Sequence, residues 1–144
     1  MIQIENTKTV ALISPISATA AATQSGTVDT LGYDHATILT ILDTAATNPT
    51  GLVLGDGIAT DSFTSLTAFI GDDTDTGFTI PAVDTSNPQI VRMEVDLTQI
   101  RRYLQLTVTP GATQVNAAVA ILSKGDTLQT IAGWGVSAMV QGNT

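Results

Sequence analysis

The sequence contains no cysteine, so neither a disulfide nor a thiolate metal site can stabilise the chain, and packing and assembly must do that work. The same absence leaves its redox compartment open. Charge is scarce: Asp, Glu, Lys and Arg make up 12% of the residues, against about a quarter in an average soluble domain. Only five residues are basic (Lys8, Arg92, Arg101, Arg102 and Lys124), and thirteen acids leave a formal net charge of -8. That field repels nucleic acid and anionic membrane surfaces, both of which are held by clustered Lys and Arg. No apolar run approaches the ~20 residues of a membrane-spanning helix. Aromatic residues are 4% of the chain, which leaves few platforms for sugar rings, and His35 is the single histidine available for imidazole chemistry.

What is present points to strands. The 144 residues suit one domain with one core. Thr, Val, Ile, Ala and Gly dominate, 43% of the residues are hydrophobic, and mean hydropathy is +0.27. β-Branched side chains fit a pleated surface better than a helix, where they crowd the preceding turn. A surface of Thr, Ser, Asn, Gln and Gly is cheaply desolvated against another protein, which favours burial in an assembly.

Met93, Val95 and Leu97 alternate with Arg92, Glu94 and Asp96, the period of a half-buried strand. After a turn-like Thr98 to Arg102, Leu104, Leu106 and Val108 alternate with Tyr103, Gln105, Thr107 and Thr109 until Pro110-Gly111 stops the run. Val115 to Ser123 and Ala36 to Leu42 are apolar on both faces and predict strands covered on both sides by a sandwich interior or a subunit contact. Weaker strands are predicted at Thr9 to Ile13, Gly26 to Leu31, Gly51 to Leu54, Leu66 to Ile70, Phe78 to Ile80 and Val136 to Val140. Turn residues at Asn48-Pro49, Gly55-Asp56-Gly57, Gly71 to Gly77 and Asn87-Pro88 space these segments regularly, as in a sandwich or barrel of about eight strands. A helical turn at Ile58 to Leu66, capped by Asp61 or Ser62, is a further expectation.

Residues 1–24 read either as an extended N-terminal arm lying on a neighbour or as a first edge strand, with residues 25–144 forming the sandwich. Thr9 to Ile16 followed by Ala18-Thr19-Ala20 has a faint look of a signal-peptide core, but Glu5, Lys8 and Pro15 break the pattern, so the segment is read as structural.

Chemistry has few candidates. No nucleophile elbow and no phosphate-binding Gly-rich loop is present. Asp34 and His35, adjacent in a strand, point to opposite faces and do not converge on a substrate. Gly71-Asp72-Asp73-Thr74-Asp75-Thr76-Gly77 is the sharpest local signal: Asp72, Asp73 and Asp75 on a Gly-flanked loop supply oxygen ligands of the kind calcium takes, or simply make an exposed turn. No other cofactor is suggested. Arg101 and Arg102 suit a carboxylate on a partner, or an internal pair with Glu94 or Asp96 across the hairpin. Trp134 and Tyr33 are candidate interface anchors, and a core-capping role is equally open to Trp134.

Two stretches together resemble a known group: Val28-Asp29-Thr30-Leu31-Gly32-Tyr33-Asp34 followed by Ala36 to Leu42, and Arg102-Tyr103-Leu104-Gln105-Leu106-Thr107-Val108-Thr109-Pro110-Gly111 followed by Ala117 to Lys124. They look like small structural proteins encoded in the head gene clusters of tailed bacteriophages. The middle of the chain, Asn48 to Pro88, does not share the resemblance. The resemblance implies an all-β, jelly-roll-like sandwich on the virion, a decoration or cement protein bound to the major capsid protein, and no catalytic residues. A homo-oligomer is expected, a trimer being favoured because it suits three-fold lattice sites and buries sheet edges. Minor capsid, head-tail joining and head-fibre or tail roles stay open, as does a carbohydrate-binding or adhesion module.

Overall fold

In the computed structural model residues 7–124 and 138–142 are described. Nine strands are found among them: β1 (Thr7–Ala18), β2 (Gln24–Asp29), β3 (His35–Leu42), β4 (Gly51–Gly57), β5 (Thr64–Ile70), β6 (Gln89–Asp96), β7 (Tyr103–Thr109), β8 (Gln114–Ser123) and β9 (Ala138–Gly142). They form a five-stranded sheet of order β1-β8-β3-β6-β9 and a four-stranded sheet of order β2-β7-β4-β5. Strands β1 to β8 give two four-stranded antiparallel sheets whose chain crosses between them from β1 to β4 and again from β5 to β8. That is the jelly roll. β9 is the exception, pairing with β6 in parallel from Val91 opposite Ala138 to Val95 opposite Gly142.

The core lies between the sheets and follows the alternation of each strand. β7 buries Leu104, Leu106 and Val108, β6 buries Val91, Met93 and Val95, and β3 buries Ala36, Ile38 and Leu42. Phe69 from β5 and Leu52 and Leu54 from β4 complete it. Each of the larger of these side chains, fully removed from water, contributes about 1.5–3 kcal/mol.

β1 is an edge strand, hydrogen-bonded to β8 from Thr7 opposite Ser123 to Ala18 opposite Gln114. Its ladder is irregular between Ala11 and Ile16, and the irregularity turns both Leu12 and Ile13 into the core. Pro15 is tolerated there because an edge strand has a free side for a residue without an N–H. β1 also passes close to β2: a side chain at Gly26 would place its Cβ 1.9 Å from the Leu12 carbonyl oxygen.

Several local expectations change. Ile58 to Leu66 is no helix: Thr64 onward is strand β5, and a short 3-10 helix lies instead at Leu97–Gln99, where the Asp96 side chain accepts the Thr98 N–H. Gly55-Asp56-Gly57 continues β4 instead of turning, because Asp56 is drawn inward to accept the Arg101 N–H. Phe78 to Ile80 makes only an isolated bridge between Phe78 and Gly71. Of the expected strand Val136 to Val140, residues 136 and 137 lie outside the described residues.

Candidate functional site

The β2–β3, β4–β5 and β6–β7 connections lie at one end of the sandwich, and that end carries Arg101, Arg102 and Tyr33. Arg102 grips Asp29 with two hydrogen bonds, from Nε to Oδ1 at 2.8 Å and from one terminal nitrogen to Oδ2 at 2.6 Å. The guanidinium also stacks over the Tyr103 ring, 5.0 Å from its centre. These bonds, with a further one from the Leu31 N–H, hold the Asp29 carboxyl down at about 2. Arg101 donates its backbone N–H to Asp56 Oδ2 at 2.8 Å and its side chain to Thr64 Oγ1 at 3.0 Å, with Asp56 Oδ1 3.7 Å away. The internal partners of the two arginines are thus Asp56 and Asp29, not Glu94 and Asp96 on the neighbouring strand of the chain. Strand order decides this: β7 lies between β2 and β4, whose ends carry the two carboxylates. Tyr33 is half-buried, its ring packed on the core. Trp134 lies outside the described residues.

An open cleft of about 600 Å³ adjoins this end, lined by Asp56, Thr64 and Thr67 from one side and Thr98, Gln99 and Arg101 from the other. Its lining mixes hydroxyl, amide, carboxylate and guanidinium groups with apolar surface, to which Leu66 and Ile100 contribute.

Asp72, Asp73 and Asp75 occupy the long β5–β6 connection. Asp72, at a positive φ of 60°, accepts the Ile80 N–H at 2.9 Å. Asp73 accepts the Asp75 N–H at 2.9 Å and the Thr76 hydroxyl at 3.3 Å, and the first of these bonds keeps its carboxyl below the ordinary value. Both carboxylates brace the turn. Among the described residues no three His, Asp or Glu side chains converge as ion ligands do.

A dense polar cluster lies elsewhere, on the outer surface of the five-stranded sheet. Glu94 points away from the core yet its side chain is 2% exposed, because His35 and Arg92 each bond one of its oxygens and Thr37 Oγ1 donates to it at 2.8 Å. Burial raises the Glu94 carboxyl, but the bonds from His35, Arg92 and Thr37 outweigh it and hold the group below its ordinary value. The lone histidine is therefore a partner of a structural carboxylate. Composition could not show this, because it depends on His35 lying on β3 beside β6, within reach of Glu94.

Beside that cluster the same surface is aliphatic. By strand alternation Val115, Ala117, Val119 and Ile121 of β8 and Leu39 and Ile41 of β3 face outward, Leu39 opposite Val119 and Ile41 opposite both Ala117 and Ile90. Ile41 is 47% and Ile90 39% exposed. The two-sided apolar character of β3 and β8 is thus half core and half surface. The outer face of the four-stranded sheet is different, carrying Ser25, Thr27, Gln105, Thr107 and Thr109.

No family model matches the sequence, and no curated protein matches it. Seven chains of solved structure match. One is from Bacillus endospore appendages, described as a novel family of disulfide-linked pili: 16% identity, TM-score 0.39, covering 83% of this chain and 88% of that one. Another is a family GH115 4-O-methyl-α-glucuronidase with specificity for decorated arabinogalactans, of which the match spans 17% and 86% of this chain, at 11% identity and TM-score 0.41. A third is the Tobacco streak virus coat protein dimer, at 11% identity and TM-score 0.36, covering 92% of this chain and 96% of that one. At these TM-scores none of them carries a functional argument for this chain.

Proposed function

We propose that the chain is a non-enzymatic structural protein that works by assembly, decorating and stabilising a bacteriophage capsid shell from the outside. The observation that carries the assembly reading is the contrast between the two outer faces of the sandwich, one hydroxyl-rich and one aliphatic. A protein acting alone in water has no use for an aliphatic sheet face. The virion setting draws on the resemblance to phage head proteins, and the two resembling stretches are neighbours in the fold: Val28 and Asp29 pair with Leu104 and Tyr103, and Arg102 holds Asp29. On a lattice, many weak and largely uncharged contacts add up through avidity, so no single strong contact to the major capsid protein is needed.

Light scattering after size exclusion, run with and without calcium, tests this. A stable oligomer that calcium does not alter is expected. A monomer whose melting temperature rises with calcium overturns the reading in favour of a calcium-dependent binding module.

The cleft beside Arg101 favours a second reading, a carbohydrate-binding or adhesion module, since Thr64, Thr98, Gln99 and Arg101 offer the hydrogen-bonding groups that sugar hydroxyls pair with. Retention on a glycan array, abolished by Arg101→Ala, would support it.

A further inference from the structure

We propose that the outer face of the five-stranded sheet is the surface on which a second copy of this chain docks, sheet face against sheet face. The inference rests on the assembly reading and names its partner and its site. The first support is the distribution of charge. At the outward positions of β3 and β8 there is no Asp, Glu, Lys or Arg. On β6 the outward Arg92 and Glu94 neutralise each other, leaving Asp96 at the rim. The other described carboxylates sit elsewhere: Asp29 and Asp56 in the four-stranded sheet, and Asp34, Asp43, Asp61, Asp72, Asp73, Asp75 and Asp84 in connections at the sandwich ends. Two copies with a formal charge of -8 each repel through the carboxylate-bearing sandwich ends. Among the described residues the two outer sheet faces both avoid opposing unpaired carboxylates, and of the two only this one is aliphatic.

The second support is area. Four strands about 4.8 Å apart and about eight residues long at ~3.3 Å per residue make a face of roughly 19 by 26 Å, or ~500 Å² per copy. A symmetric pair then covers ~1,000 Å², the lower bound for a specific interface, and the aliphatic centre suits the core of such an interface. A basic partner would instead be drawn to the acidic ends. Identical faces meeting about a two-fold axis place Leu39, Ile41, Val119 and Ile121 of each copy opposite an aliphatic surface of the other, with the Arg92–Glu94 pair to one side.

The test uses the full chain. Light scattering across a dilution series is expected to give the mass of a pair, or of an even-numbered assembly built from pairs. Ile41→Glu places an unpaired carboxylate in the contact and is expected to weaken self-association about tenfold or more. Thr107→Glu, on the opposite sheet, is expected to leave the mass unchanged. Should Ile41→Glu fail to fold, Ile41→Cys gives a unique labelling site in a chain without cysteine. A spin label there is expected to show dipolar coupling between copies, and the coupling should disappear at dilutions that separate them. An oligomer, a trimer included, whose mass ignores Ile41→Glu and whose labels show no coupling overturns the face while leaving the assembly reading intact. A wild type that stays monomeric at every concentration overturns both.

Discussion

Glu94 offers the sharpest test of how the five-stranded sheet is held together. Its side chain is 2% exposed and accepts bonds from His35, Arg92 and Thr37. Removing one partner of a buried ion pair costs about 3–5 kcal/mol, since the other charge is left without compensation. Arg92 and His35 keep 21% and 15% of their side-chain surface in water, so part of that loss is recovered by solvation. Glu94→Ala is therefore expected to destabilise by about 2–4 kcal/mol, which for a domain of this length lowers the melting temperature by roughly 6–14 °C. Glu94→Gln keeps the shape and an acceptor oxygen and should lose less, about 1–2 kcal/mol. The two are distinguished by pH. The folded state holds the Glu94 carboxyl below its ordinary value, so it favours the ionised form more than the unfolded chain does. Its contribution is complete above the ordinary value of 4.5 and is lost as pH falls through the lowered folded value. Urea unfolding from pH 7 to 3 should show wild type losing this increment in acid, with the gap to Glu94→Gln narrowing. A Glu94→Ala protein within about 0.5 kcal/mol of wild type, or a gap that pH does not change, refutes the reasoning.

Gly26→Ala should destabilise by ~1–3 kcal/mol or more, read from urea midpoints, because its Cβ meets the backbone oxygen of Leu12 at 1.9 Å and β1 must move away. Deleting residues 1–24 removes the β1 ladder and the buried Leu12, Ile13 and Ala18; the two larger side chains alone represent about 3–6 kcal/mol of burial, so the truncated chain should show no cooperative thermal transition by circular dichroism. A folded truncation that has lost only its assembly would mean that the segment acts as an arm on a neighbour. Asp29 should titrate at about 2 by carboxyl NMR and return toward its ordinary value of 3.8 in Arg102→Ala; its stabilising effect is present above 3.8, lost as pH falls through 2, and modest because the pair is about half exposed.

Much of the sandwich was legible in the pattern of side chains. β6, β7 and β8 show themselves by alternation or by continuous apolar character bounded by turn residues, and each buries the positions that alternation assigns inward. What could not be read were features set by strand order. The partners of Arg101 and Arg102 lie on β4 and β2, far away in the chain, so a reading limited to neighbours looked to Glu94 and Asp96. Asp56 between two glycines has the local chemistry of a turn, yet a distant N–H holds it in a strand. Apolar character on both faces of β3 and β8 was visible, but composition does not tell a second core from an outer surface. His35 is the same lesson in one residue: what it does depends on a carboxylate brought beside it by the pairing of β3 with β6.

The place of β1 beside β8 also bears on how the chain comes to be folded during synthesis. Thr7 finds its partner only when Ser123 has left the ribosome. At ~5–20 residues per second the wait is about 6–23 s, longer than the milliseconds to seconds in which a sandwich of non-local pairings folds once complete. β3 waits nearly as long for β8, and until then its aliphatic residues lack neighbours on either flank or have β6 alone. Until β8 is made, a nascent chain of this topology therefore leaves the hydrophobic side chains of β3 without their strand partner. Its scarcity of charge makes that interval the time of greatest exposure to aggregation.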